Sequence, residues 1–277
     1  MTKLKIFACA AAFSLLPFAT AFAEDGEAVS TSEISPRFYD AGLELESGAN
    51  WKSSEAKGID HDATLVLGWN PLRDFRIGLE SAAVLAKREN GGGIEDTEFT
   101  LTRKGLSLGG FGALDFGSLT ILPTDIKERN AGMQAAQGAL LGWELEALSG
   151  LTIGFEAKAA RFFRDTEKAA ILLEDETLAG ASFDKTRLEQ KASVSYELMR
   201  GLKLQASGKH TSAWKWFEGR EAELEIEQKL AYEIGQWSLA LGHRNETLLL
   251  AQNGDRQKAA LYRPMESKLF GTLSWAL

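Results

Sequence analysis

Between Glu221 and Ile234 the chain alternates strictly, with Ala222, Leu224, Ile226, Gln228, Leu230, Tyr232 and Ile234 on one side and Glu221, Glu223, Glu225, Glu227, Lys229 and Glu233 on the other. A period of two is that of a β-strand, whose successive side chains leave opposite faces; a helix would scatter the same glutamates around its circumference. A soluble sandwich seldom needs a row of carboxylates along one face. A strand that is greasy on one side and ionic on the other fits a wall between hydrocarbon and water, as in a transmembrane barrel.

The pattern recurs along the chain. Leu65, Leu67 and Trp69 precede the turn Asn70 to Asp74, after which Phe75, Ile77 and Leu79 alternate with Arg76 and Glu80. Leu141, Trp143 and Leu145 oppose Glu144 and Glu146, and Ile153, Phe155 and Ala157 oppose Glu156 and Lys158. Leu188, Val194 and Tyr196 oppose Arg187, Glu189 and Lys191; Leu202 and Leu204 oppose Lys203 and Lys209; Trp237, Leu239 and Leu241 oppose Arg244; Leu273 and Trp275 end the series. About twelve such runs of about ten residues can be drawn, and at roughly 3.3 Å per residue and a tilt near 45° each covers an apolar band of about 25 Å. Connections after even runs are short and those after odd runs long. The prediction is an all-β fold: one antiparallel up-and-down transmembrane β-barrel of about 12 strands, to within two, with short periplasmic turns and longer external loops.

Two stretches depart from the rule. Across Thr97 to Leu122 the parity slips near Lys104 to Leu108 and again near Ser118, so two strands joined around Gly109 to Gly112, with bulges, are expected. Residues 164–183 form the longest connection, and Glu167 to Leu178 has helical composition, read as an external helix over the rim with an inward plug as the alternative.

The first residues and the composition narrow the setting. Lys3 and Lys5, an apolar run from Ile6 to Phe22 and Ala21-Phe22-Ala23 before Glu24 read as a cleavable signal peptide over residues 1–23, followed by a flexible leader over 24–37 and the barrel over 38–277. The single cysteine, Cys9, lies in the signal, so disulfides and thiol chemistry are excluded from the mature chain. A formal net charge of −8 argues against nucleic acid as a partner. Export then leads to the bacterial outer membrane, where alternation hides the hydrophobicity.

The stretch from Gly105 to Gly117, Gly-Leu-Ser-Leu-Gly-Gly-Phe-Gly-Ala-Leu-Asp-Phe-Gly, resembles the Gly-rich hairpin of Gram-negative general porins, with one additional residue and Ser118 where those porins usually carry arginine. The final Trp275-Ala276-Leu277 resembles the C-terminal signature that outer-membrane proteins present to the barrel-assembly machinery, with leucine in place of the usual phenylalanine. The resemblance implies a porin-like protein. General porins are trimers, but barrels of about twelve strands are often monomers, and a monomer is expected here.

On this reading the inward positions Arg76, Glu80, Glu144, Glu156, Lys158, Arg187, Glu189, Lys191, Lys203, Lys209, Glu223, Glu225, Glu227 and Arg244 line a bore. Acids exceed bases among inward positions, which predicts mild cation preference, and neighbouring strands would pair many of the charges off. Trp69, Phe75, Trp143, Tyr196, Tyr232, Trp237 and Trp275 stand outward near short turns or the C-terminus and would form a periplasmic aromatic girdle against lipid. Trp214, Trp216 and Phe217 are read as membrane anchors, with a sugar-stacking platform as the other reading.

Catalysis finds little support. His61 is placed in the first loop and His210 and His243 on outward parity, with His210-Thr211-Ser212 the nearest approach to a nucleophile and base. No metal or cofactor motif is present, and the expectation is no enzyme and no cofactor. The functional reading is passive diffusion of small hydrophilic solutes through a charged channel in contact with outer-membrane lipid and lipopolysaccharide. The alternatives are an outer-membrane hydrolase and a closed structural or adhesive barrel.

Overall fold

The computed structural model describes residues 39–50, 60–72, 74–86, 93–165, 168–172, 178–216, 219–250 and 267–276. The expected signal peptide, leader and final Leu277 lie outside them. Twelve long strands follow one another as β1 (Tyr39–Asn50), β2 (Asp60–Leu72), β3 (Phe75–Ala86), β4 (Thr97–Ser107), β5 (Ala113–Leu122) and β6 (Met133–Leu148). They continue as β7 (Leu151–Arg164), β8 (Asp184–Met199), β9 (Leu202–Lys215), β10 (Arg220–Ile234), β11 (Trp237–Leu250) and β12 (Ser267–Ala276). Each pairs antiparallel with the next, and β1 pairs with β12 from Gly42↔Ala276 to Asn50↔Lys268, which closes the sheet on itself.

Register makes the two faces explicit. Leu43, Leu65, Leu67 and Leu79 meet along the outside, as do Leu204, Leu230 and Leu241. Leu241 is 67% exposed and Leu239 56%, positions that a soluble sheet would bury. The opposite face is concave. Lys158 of β7 reaches Glu98 of β4 at 3.1 Å and Arg244 of β11 reaches Glu46 of β1 at 3.0 Å, and side chains on strands two or three apart can meet in this way only across the interior of a closed wall.

Several expectations are corrected. Strands run from 10 to 16 residues, so the longer ones exceed the ten-residue apolar stretch read from sequence. The connection between β9 and β10 is residues 216–219 and is short, although it follows an odd strand. His61 belongs to β2 and not to the first loop, and Trp214 lies within β9. In place of the expected helix over Glu167 to Leu178, Lys168–Leu172 and Leu178–Ser182 pair as a separate antiparallel hairpin. The charged, alanine-rich composition of that stretch is compatible with a helix, but backbone pairing between its two halves prevails over a weak propensity.

The slipping parity of Thr97 to Leu122 has two causes. The register shifts between Arg103 and Leu106, beside a short 3-10 turn at Gly109–Phe111. Farther along β5 the faces exchange chemistry: Leu119 and Ile121 point inward and are buried with Met133, Ala136, Ala160 and Phe162, while Ser118 and Thr120 point outward. At the long-loop end, β5 to β7 therefore carry an apolar cluster inside the wall.

The two strands also approach closely here, since a Cβ on Gly138 of β6 would overlap the backbone carbonyl oxygen of Ala159 on β7. Glycine is required for that approach. Gly208 of β9 has no such neighbour, its closest contact being Glu225 O at 4.0 Å. Gly138→Val is expected to abolish most of the folded, heat-modifiable band on unboiled gels, whereas Gly208→Val should fold at close to the parental yield; equal yields would remove the close approach as a requirement.

Candidate functional site: a charged interior

All fourteen inward residues named from sequence fall on the concave register. Glu156↔Lys191, Lys191↔Lys209, Lys209↔Glu225 and Glu225↔Glu246 form one continuous row across β7 to β11. Lys158, Glu189 and Glu223 share the next row through Thr211, while Arg76 and Glu80 face inward from β3. The expected neighbour pairs are present, Lys209 with Glu225 at 3.1 Å and Lys203 with Glu233 at 2.9 Å.

The densest cluster centres on Arg244. Its Nη1 and Nη2 donate to the two oxygens of Glu46 at 3.0 Å each, its Nε and Nη2 donate to Glu227 at 3.1 and 2.8 Å, and its guanidinium lies 4.7 Å from the Phe270 ring centre. Lys268 extends the belt to Glu46 at 3.5 Å and Asp62 at 3.9 Å, so five strands from β10 through β12 to β1 and β2 are tied together. The planar fork of arginine suits two carboxylates at once, which lysine could not match.

A second cluster crosses the bore from Lys158 to Glu98, with Glu156 at 3.7 Å, and Arg76 pairs with Asp40 near the short turns. A third lies near the long-loop end, where Asp184 accepts from Arg187 and Lys215 at 2.7 Å each and Lys215 also reaches Glu221 at 2.7 Å. Beside it, Arg164 is paired with Glu128 of a short helix, α1 (Ile126–Asn130), at 2.5 Å and lies over Phe183. In the adjacent connection, burial pushes the Asp96 carboxyl up from its ordinary range, against the Asp125 N–H that donates to it at 3.2 Å.

Sequence reading left out Glu46, Glu98, Asp184, Lys215 and Lys268. Glu46, Glu98 and Lys268 were visible as inward parity, but their importance comes from partners on other strands. Asp184 and Lys215 were hidden because the strands extend farther than the apolar run.

Between these clusters a cavity of about 480 Å³ opens along β5 to β10, lined by Asp115, Glu144, Glu156, Lys191, Ser193, Ser195, Gln205, Ser207, Glu227 and Lys229. Among the described residues, Glu80, Glu144, Glu189, Glu223 and Glu246 make no ion pair, and Lys191 is likewise without one. Carboxylates thus hold the uncompensated charge.

The seven aromatic residues named from sequence all lie outward. Trp69, Tyr196, Tyr232 and Trp237 are exposed, Trp237 and Trp275 approach with ring centres 6.5 Å apart, and Trp143 Nε1 donates to Phe111 O at 2.7 Å. Each lies in the part of its strand next to a short turn or the C-terminus.

A known structure shares this fold. An outer-membrane channel from Pseudomonas putida superposes with a TM-score of 0.57 over 90% of this chain and 100% of its own, at 9% identity. The outer-membrane channel DcaP of Acinetobacter baumannii covers 86% of this chain and 96% of its own with a TM-score of 0.41 and 7% identity. No family model matches the sequence, and no curated protein does.

The Arg244 belt gives a stability prediction. Arg244→Met leaves Glu46 and Glu227, both about nine-tenths buried, facing each other without their shared cation, and should cost about 2–3 kcal/mol in urea unfolding of the reconstituted barrel. Adding Glu227→Gln should restore part of the loss. Lys203→Met, at a half-exposed pair, should cost no more than about 1 kcal/mol.

Proposed function

We propose that the chain is a porin-like channel of the bacterial outer membrane, passing small hydrophilic solutes by diffusion through a mildly cation-selective bore. The observation that carries the reading is a polar cavity of about 480 Å³ inside a closed wall whose outer face is apolar. Hydrocarbon offers the backbone no hydrogen bonds, so a chain that crosses it as strands must pair every strand, and this one does. Uncompensated Glu80, Glu144, Glu189, Glu223 and Glu246 raise the local concentration of cations, and Lys191 moderates the preference. The outward aromatics are assigned to the periplasmic interface, the C-terminal strand to recognition by the barrel-assembly machinery, and the working unit to a monomer.

A second reading, a closed structural barrel, is favoured by the apolar cluster and the Arg164–Glu128 and Asp184–Lys215 contacts that crowd the long-loop end. Hydrolysis has weaker support. Ser47 Oγ lies 2.8 Å from His61 Nδ1, but on the outward face, and among the described residues no carboxylate orients the ring from its other nitrogen.

Planar-bilayer recordings of the purified chain test the reading. Stable steps with a cation-biased reversal potential are expected; Glu144→Gln with Glu156→Gln should reduce the bias, and Lys191→Glu should increase it. A folded, heat-modifiable protein that carries no current would favour the structural barrel.

A further inference from the structure

We propose that the outer wall carries a seat for the phosphate groups of a membrane lipid, built from Arg161, Trp214 and Arg220. The proposal rests on the outer-membrane reading above and adds a specific lipid contact to it. One hydrogen-bonded row runs across the outward face as Gln137↔Arg161, Arg161↔Thr186, Thr186↔Trp214 and Trp214↔Arg220. Apolar side chains would be expected on that face throughout the hydrocarbon, as lower down the same strands at Phe155, Val194, Leu204 and Leu230. In this row the chemistry is polar and cationic, and behind it the inward face holds Phe162 and Ala160 of the apolar cluster. The reversal marks where the wall leaves the acyl chains and enters the headgroups at the long-loop end.

Both guanidiniums face out from the wall. Arg161 and Arg220 are exposed and make no ion pair among the described residues, unlike the belt inside the bore. Arg220 is nevertheless positioned: its Nη2 donates to Ser212 Oγ at 2.8 Å and its guanidinium carbon lies 5.0 Å from the Trp214 ring centre. A ring beneath and a hydroxyl beside it fix the guanidinium plane while leaving its other N–H groups free to fork onto phosphate oxygens. Trp214 places an amphipathic ring at the same depth, as interfacial tryptophans do. Arg161 and Arg220 are three strand spacings apart, roughly 14 Å, so the seat fits a headgroup with more than one phosphate, or two adjacent lipids, better than a single small anion. Just beyond, Lys185 lies 5.0 Å over the Trp216 ring and adds a further cation at the rim.

The test uses the full chain folded into vesicles of zwitterionic phospholipid, with or without a minor fraction of a bisphosphorylated glycolipid, and reads lipid retained after detergent extraction by native mass spectrometry. The wild type should retain the glycolipid. Arg161→Gln with Arg220→Gln should weaken retention roughly thirtyfold, taking about 1 kcal/mol for each cation near the surface, while Arg161→Lys with Arg220→Lys should keep much of it. Inorganic phosphate at equal concentration should not displace the lipid. Undiminished retention in the glutamine variant, or displacement by inorganic phosphate, overturns the seat. An inserted, heat-modifiable wild type that retains no glycolipid overturns the seat alone, whereas a chain that never inserts overturns the outer-membrane reading and the seat together.

Discussion

Closure of the sheet is the constraint on which the other features depend. An open twelve-stranded sheet would present two unpaired edges, and a row of unsatisfied N–H and C=O groups is costly to take out of water. Pairing β1 with β12 removes both edges at once. It also divides the side chains into two sets, because a residue's register decides whether it lies on the convex or the concave side. A slip of one position in any strand would put leucines into the interior and glutamates on the apolar outer face, so the alternation and the closed ladder hold each other in place.

The concave set faces a different problem. Carboxylates converge as the wall curves, and their repulsion opposes the closed form unless cations or water screen it. Arg244 answers this at the narrow side by taking Glu46 and Glu227 together, with Lys268 behind it. Exposed lysine pairs elsewhere contribute little individually. Glu80, Glu144, Glu189, Glu223 and Glu246 make no ion pair among the described residues, and this imbalance gives the interior its electrostatic character.

The long-loop end follows another rule. There Leu119, Ile121 and Phe162 pack inside and polar residues look outward, so strands that are apolar outside along most of their length reverse their two faces at this end. On the proposed outer-membrane reading, a change of solvent outside the barrel accounts for it, since apolar surface is buried wherever the surroundings are water. On that reading Arg161 and Trp214 stand where the two environments meet.

The sequence by itself determined the class of fold, the twelve long strands, the face each residue takes along most strands and the outward placement of the aromatics. These are consequences of a two-residue backbone period, which any window of about ten residues displays. It read a helix over Glu167 to Leu178, where pairing of Lys168–Leu172 with Leu178–Ser182 decides instead, and it lost the pattern at Ser118, where Leu119 and Ile121 exchange faces with their neighbours. Only the tertiary structure decided that Arg244 meets Glu46, that Lys158 meets Glu98 and that space remains beside Lys191. Those relations join strands far apart in the chain through the curvature of the closed wall, and no local pattern of hydrophobic and polar residues encodes a distance across it.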